Sequence, residues 1–573
     1  MVSTIQEDAP CDKLHERLST ITTRKAVTMK IAVEGCAHGA LEEIYGTLQY
    51  LEQQEGIQVE LLLCCGDFQA VRNADDLECM AVPKKFRFME SFHKYYSGEK
   101  KAPYLTIFIG GNHEASNYLA ELPYGGWVAP NIYYLGYAGV VNVGGIRIGG
   151  VSGIYKSHDY RKGHYEAPPY NENNKRSAYH IRSLEVFRMK QLKRPIDIMM
   201  SHDWPRGVYH CGNTKELLAK KSFFRNEIET NTLGSPPAEE LLRALKPAYW
   251  FSGHLHCKFV AAIEHEKEGQ ETPKVTKFLA LDKCLPRRDF LQVIDVPRNE
   301  FEPLELQYDA EWLAVLQGTN HLFSTSRVPM NMPSQFTDDR WDYSVSSEEM
   351  EGVKKAFNGD LKVPENFVQT APTFNPARLQ NTRQPNLTIN PQTTLLCTKL
   401  GVTDPCKKLL KIAEGNPDEI SLDEDDNEED TGNPEEISTS DVDDADADDD
   451  DDDSAAEEAI LPVNPNLTEP MPSQEEASIS DEEAELIKEM HRIRSSPATS
   501  QDDSSDILTS PFHTGSETES AAPDLSDSDS LHQGKTDSDS GKRSSENETD
   551  GSGSKKKFKR RNQAMYEDTE ESC

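Results

Sequence analysis

Five times within residues 29–256, a short apolar run ends in a loop that carries histidine, aspartate or asparagine. Lys30 to Glu34 leads into Gly35-Cys36-Ala37-His38-Gly39, Val59 to Cys65 into Gly66-Asp67, and Tyr104 to Ile109 into Gly110-Gly111-Asn112-His113-Glu114. Ile196 to Met200 leads into Ser201-His202-Asp203-Trp204, and Ala248 to Phe251 into Ser252-Gly253-His254-Leu255-His256. Apolar runs of this length, bounded by turn formers, read as strands buried on both faces. Leu41, Ile44, Tyr45, Leu48 and Leu51 recur at helical spacing after the first run, and Phe86, Phe88, Met89, Phe92 and Tyr96 predict a second amphipathic helix before the third. Strands alternating with helices predict an α/β fold with a mostly parallel sheet, its carboxyl-end loops side by side. Any one loop reads equally well as a turn, Gly-Gly-Asn above all. Their recurrence at one predicted sheet edge is what marks them as a site.

The remaining pattern fills in the body. Ile132 to Ser152, broken by Gly139 and Gly144-Gly145, suits antiparallel hairpins, and Ser183 to Lys193 reads as a helix closed by Pro195. Residues 205–236 read as loop, Pro237 to Lys246 as a helix with Pro near its start. Lys258 to Ile263 and Val275 to Leu281 are weaker strands that complete a second sheet. Short apolar runs mixed with Pro, Asn and Trp over 284–385 indicate a small appended domain or an ordered extension around the core.

Composition separates this body from the C-terminal third of the chain. The chain carries a net charge of −38, and residues 391–573 hold 16 Lys and Arg against 50 Asp and Glu, leaving only −4 for the first 390 residues. The acidity therefore belongs to a tail and leaves the folded body uncommitted as to nucleic-acid binding. Beyond about residue 390 the Asp, Glu, Ser, Thr and Pro content, including Asp448 to Asp453, predicts disorder, with Ala484 to Ile493 at most a transient helix. The basic cluster Lys555 to Arg561 reads as a nuclear address, and Ser-Asp repeats such as Ser526 to Ser530 as phosphorylation sites. Eleven cysteines without a regular framework point to reduced thiols, and no apolar stretch reaches membrane-spanning length. Residues 1–28 look like a flexible extension.

Together the five loops offer Cys36, His38, Asp67, Asn112, His113, His202, His254 and His256, nitrogen and oxygen ligands plus one thiol, enough for two metal ions. In this order they resemble the calcineurin-like metallophosphoesterases, whose usual pattern is Asp-x-His, Gly-Asp, Gly-Asn-His-Glu/Asp, a lone His and Gly-His-x-His. Cys36 stands where Asp is usual. Cys-x-His combined with Tyr124-Gly125-Gly126-Trp127, Gly153-Ile154-Tyr155 and Ser201-His202-Asp203-Trp204-Pro205 resembles, within that family, the RNA lariat debranching enzymes. The resemblance covers about residues 29–385. It implies a layered β-sheet sandwich flanked by helices over 29–263, a small C-terminal debranching-enzyme domain over 264–385 and an acidic tail over 390–573.

The resemblance also implies two divalent ions, iron, zinc or manganese, and hydrolysis of the 2′–5′ bond at the branch point of lariat RNA. Paired cations polarise a phosphoryl group and activate water, so no covalent protein nucleophile is needed. Asp67, with two oxygens, suits a bridge; His38 and His256 suit one ion, Asn112, His202 and His254 the other; and His113 suits protonation of the leaving oxygen. Cys36, if a ligand, biases the site toward Zn²⁺ or Fe²⁺.

Between Tyr155 and Tyr179, the residues Lys156, His158, Tyr160, Arg161, Lys162, His164, Tyr165 and Tyr170 interleave cations with rings, as RNA recognition requires. Branched RNA is the expected partner, with splicing-associated or RNA-turnover proteins on the tail, in the nucleus with shuttling to the cytoplasm. Arg287 and Arg288 are further candidates for RNA phosphates. A protein phosphatase of the same fold is a rival, weakened because Gly66-Asp67-Phe68-Gln69-Ala70-Val71-Arg72-Asn73 lacks the Gly-Asp-x-x-Asp-Arg-Gly pattern. An inactive scaffold is the other, and only Cys36 departs from the ligand pattern.

Overall fold

The computed structural model describes residues 27–266, 273–337, 339–378 and 382–413. Thirteen strands run through them: β1 (Thr28–Glu34), β2 (Leu61–Cys64), β3 (Leu105–Phe108), β4 (Gly126–Ala129), β5 (Ile132–Tyr134), β6 (Ala138–Val143), β7 (Ile146–Val151), β8 (Ile198–Ser201), β9 (Tyr249–Ser252), β10 (Phe259–Glu264), β11 (Val275–Ala280), β12 (Leu291–Pro297) and β13 (Leu306–Tyr308). They form a six-stranded sheet, β12-β1-β2-β3-β5-β4, and a seven-stranded one, β10-β11-β9-β8-β7-β6-β13. β1, β2, β3 and β5 are parallel, as are β7, β8, β9 and β11, while the hairpin partners and β12 run against them.

The strands read as apolar on both sides because both sides are covered. Ile31, Val33, Leu61, Leu63 and Ile107 of the first sheet meet Val141, Ile148, Ile198, Met200 and Phe251 of the second. Ala32, Leu62 and Phe108 turn outward onto helix α1 (Leu41–Glu55), whose Leu41, Ile44, Tyr45 and Leu48 form the stripe visible in the sequence. On the far side Val151, Met199 and Trp250 pack beneath α2 (Ser183–Lys190), α3 (Pro236–Leu245) and α4 (Ala310–Gly318). The result is helix, sheet, sheet, helix, with each fully buried Leu, Ile or Val stabilising by about 1.5–3 kcal/mol. Two local signals set the ends of helices here: α1 stops at Gly56, left-handed at φ 63°, and α3 begins at Ser235, whose hydroxyl accepts from the Ala238 N–H.

Several elements differ from the sequence expectation. Phe86 to Tyr96 is not one helix: a single 3₁₀ turn, Lys84–Phe86, is separated by an irregular stretch from Phe92–Ser97, because Phe92, Tyr95 and Tyr96 find the core while Phe88 is exposed. Only the second half of Ile132 to Ser152 is a hairpin, β6 and β7 around Gly144-Gly145; β5 joins the first sheet in parallel with β3. Residues 205–236 contain short helices, Thr214–Lys220 and Arg225–Glu229 among them, anchored by Leu217 and Ile228. The 284–385 region enters both sheets, β12 pairing with β1 and β13 with β6.

Order continues past residue 390 in α5 (Pro391–Leu400) and α6 (Pro405–Ala413). Leu396, Cys397 and Leu400 give α5 enough apolar surface to dock, so the acidic tail starts later than composition implied. Residues 1–26, Asp448 to Asp453, Ala484 to Ile493, the Ser-Asp repeats and the basic cluster lie outside the described residues. Among the described residues every cysteine is a free thiol, and no helix is long and apolar enough to cross a membrane.

Candidate metal centre

The loops after β1, β2, β3, β8 and β9 meet at one edge, where the two sheets bring their carboxyl ends together. The close approach is built on glycine. A Cβ on Gly111 would lie 2.1 Å from Asp67 Oδ1, and one on Gly66, at φ 115°, 2.2 Å from His202 Nδ1. Four of the site residues pay for their placement in backbone conformation: His38, Asp67, His254 and His256 have φ of 42°, 42°, 67° and 46°. Left-handed non-glycine residues cost on the order of 1–3 kcal/mol each and collect at functional sites.

The side chains fall into two groups that share Asp67. In the first, ligand atoms of Cys36, His38, Asp67 and His256 all lie within 4.8 Å of one another. In the second, His202 Nε2 is 3.2 Å from Asp67 Oδ1 and 3.1 Å from Asn112 Oδ1, and the His202 and His254 rings are 4.9 Å apart. His202 Nδ1 is fixed by the Cys65 carbonyl at 2.8 Å, which turns Nε2 toward the shared carboxylate. His113 stands at the rim, Nδ1 3.9 Å from Asp67 Oδ2 and its ring 5.2 Å from that of His38, with a fifth of its side chain exposed.

The electrostatics fit cations. Burial pushes the Asp67 carboxyl up, yet the surrounding His202, His113 and His38 hold it well below the usual carboxylate range. Burial lowers His38 to about 4 and His254 to about 3, and His256 well below its ordinary value with His38 and Lys283 adding to the fall. These are neutral imidazoles at physiological pH, the form that binds metal. His202 is raised: burial opposes its charge but Asp67 overrides that. Burial, with Asp67 and Glu34 adding, drives the Cys36 thiol well up, so only a nearby cation makes its thiolate favourable. His38 Nε2 and both ring nitrogens of His256 are enclosed without a hydrogen-bond partner among the described residues. Three orphaned nitrogens beside a buried carboxylate are what a divalent ion would satisfy.

Two residues support the site that the sequence did not single out for a role. Glu114 is buried and accepts from the backbone N–H groups of Phe68 at 2.7 Å, Gln69 at 2.9 Å and Gly111 at 3.0 Å. It splices the Asp67 loop to the Asn112 loop, and burial with Asp67 nearby pushes it up to about 7 despite those donors. Asp203 follows His202 and is pushed up to about 6 by burial, with His202 and the backbone of Trp204 and Tyr155 opposing the rise. The signal for both was position: Glu114 closes the Gly110 to Glu114 motif and Asp203 directly follows His202.

The 155–179 loop separates the residues grouped on sequence. His158 and Arg161 are exposed and Lys156, Tyr160, Lys162 and Tyr165 half-buried, whereas His164 and Tyr170 are buried and point inward. His164 Nε2 is 3.0 Å from Glu185 Oε1 and its ring stacks on Tyr137 at 4.1 Å, while the Tyr170 main chain is clasped on both sides by the Gln384 amide. An alternation of rings and cations does not say which rings face in. Arg287 is exposed, and Arg288 lies 3.5 Å from Asp282.

Residues 29–258 match the calcineurin-like phosphoesterase family, and residues 273–405 match the lariat debranching enzyme C-terminal domain. The chain is 54% identical over 445 residues to lariat debranching enzyme A of Xenopus laevis, covering 71% of this chain and 83% of the relative. It is 58% identical over 388 residues to the lariat debranching enzyme of Homo sapiens, covering 67% and 71%. With that of Arabidopsis thaliana the identity is 51% over 374 residues, covering 65% and 86%.

Proposed function

The chain belongs to the lariat debranching enzymes of the calcineurin-like phosphoesterase family, and from that membership we propose that it hydrolyses the 2′–5′ phosphodiester bond at the branch point of excised intron lariat RNA. The observation that carries the chemistry is the pair of ligand groups sharing Asp67, one completed by Cys36, His38 and His256 and the other by Asn112, His202 and His254. These residues would hold two divalent ions, and the thiol favours iron or zinc over magnesium, with manganese the remaining candidate. When bound, such ions supply the positive charge that polarises the phosphoryl group and lowers the pKa of water.

The chain's own residues do the rest. Asp67 holds its charge in a buried setting and fixes the His113 backbone through a 2.8 Å bond from that N–H to Oδ1. His113 thereby sits at the rim with its ring free to protonate the leaving oxygen as the P–O bond breaks, while the attacking water oxygen bonds to phosphorus from the opposite side. Glu114 keeps the two loops in register so that Asn112 and Asp67 stay in one ligand group. Lys156, His158, Arg161 and Lys162, with Tyr160 and Tyr165, offer cations and rings to the RNA around the branch.

The basic cluster Lys555 to Arg561 supports a nuclear address, and the Ser-Asp repeats support phosphorylation of the tail. The test of the activity is to incubate metal-loaded full-length protein with branched RNA, linear RNA and a phosphopeptide. Cleavage confined to the branch is expected. Hydrolysis of the phosphopeptide, or silence on all three, would overturn the proposal.

A further inference from the structure

Alongside the 155–179 loop runs a stretch from the C-terminal region, Ser324 to Asn331, joined to it by main-chain hydrogen bonds. The Gly163 N–H donates to the Ser326 carbonyl at 2.8 Å, the His164 N–H to Ser324 at 3.0 Å, and the Met330 N–H to Arg161 at 2.8 Å. The approach is close enough that a Cβ on Gly163 would lie 2.4 Å from the Ser324 oxygen. Side chains interlock as well: the Arg327 guanidinium lies 5.1 Å from the centroid of the Tyr165 ring, and Arg161 Nη1 is 3.4 Å from Asn331 Oδ1. Arg161, Arg327, Val328 and Met330 are all exposed on this joint surface.

The charge is equally telling. In a chain of 99 Asp and Glu, residues 312–337 contain none. The part of it that is exposed, Arg327 to Asn331, is bonded edge to edge with a loop of cations and rings and continues that loop's surface rather than covering it. A guanidinium resting on a ring keeps its outward N–H groups for a phosphate and offers its plane to a base. Val328 and Met330 add apolar contact of the kind unstacked bases take.

We propose that Ser324 to Asn331 forms the second wall of the RNA-binding surface, with Arg327 contacting the single-stranded RNA that leaves the branch. This rests on the debranching reading and deepens it: substrate recognition is shared between the insertion in the catalytic domain and the C-terminal region.

The test uses the full-length, metal-loaded protein. In Arg327→Ala, kcat/KM on branched RNA relative to that on a small phosphodiester is expected to fall about fivefold, through KM. The slope of log affinity against log salt should become shallower by about 0.7, one single-strand phosphate contact. Arg327→Lys should restore the salt slope. Gly163→Ala, which prises the two segments apart, should lower the same ratio without removing a charge. If wild-type protein fails to cleave branched RNA, the functional reading falls. If it cleaves and both variants keep wild-type KM and salt slope, the second wall alone is overturned. A variant that leaves RNA affinity unchanged but dissolves a dimer in solution overturns it too, assigning the surface to a second copy of the chain.

Discussion

The backbone N–H of His254 donates to Cys36 Sγ at 3.0 Å, so the loop leaving β9 is tied to the loop leaving β1 through the one residue that departs from the usual Asp-x-His pattern. The sulfur is thus already fixed from one side, and a Cβ on Gly253 would lie only 2.8 Å from it. A ligand held this way selects its metal by softness as much as by position.

Replacing Cys36 by Asp should therefore change which ion is held. Zinc content relative to manganese is expected to fall about tenfold after loading from an equimolar mixture. Elemental analysis of the purified variant reads this directly, and unchanged metal identity with unchanged activity would remove Cys36 from the ligand set.

His113 touches Asp67 through its main chain and the rim through its ring. His113→Ala should retain both metals and lose about 10²–10⁴ in kcat, the usual worth of a general acid. Metal content and kcat measured on one preparation separate the two roles; a variant that also loses metal would make His113 a structural member of the centre.

Glu114 accepts three backbone N–H groups, which a Gln side chain can meet with only one oxygen. Glu114→Gln turns an NH₂ toward donors and should weaken metal binding about 10–100-fold while leaving the side chains of both ligand groups intact. Competition with a chelator measures it, and wild-type affinity would show that the loops hold their register unaided.

Asp159 carries the pH dependence of the loop. Burial pushes its carboxyl up, but His180 at 2.7 Å, with Arg182 and Lys162 at hand, holds it well below the usual carboxylate range. A depressed folded-state value means the unfolded chain binds more protons in the interval between the two, so stability is full above about pH 4 and drains away below it. Asp159→Asn should cost about 3 kcal/mol at neutral pH and decline less steeply on acidification, the depressed Asp67 carboxyl still contributing its share. Denaturant unfolding from pH 6 to pH 2 tests both; parallel curves for the two proteins would place the anchor elsewhere.

How much of this was legible depended on whether a signal was local. The runs before Asp67 and Asn112 were readable because a strand covered on both faces needs apolar residues throughout, and the loops because Gly-Asp and Gly-Asn-His follow at once. Residues Phe86 to Tyr96 misled because helical spacing of aromatics also arises when an irregular stretch drops rings one by one into a core. That His164 and Tyr170 turn inward was not legible, because the Glu185 that meets the His164 ring and the Gln384 that holds the Tyr170 main chain come from elsewhere in the sequence. The same holds for β12 and β13: weak strands in isolation, they form only because β1 and β6 present free edges to them. Glu114 lay inside the motif, but its three donors come from two loops that only folding brings together.

The pairing of β12 with β1 has a consequence for truncation. From Thr28↔Pro297 to Glu34↔Leu291 the first strand is matched along its whole length, and the Cys36 N–H donates to the Asp282 carbonyl at 3.3 Å while the Cys284 N–H donates to that of Cys36 at 3.1 Å. The first of the site's loops in the chain is thus clamped by the last strand of its own sheet and the turn that leads into it. A chain that stops before residue 282 carries every candidate metal ligand but lacks the strand that covers the edge of β1 and the main-chain bonds that hold Cys36 from that side.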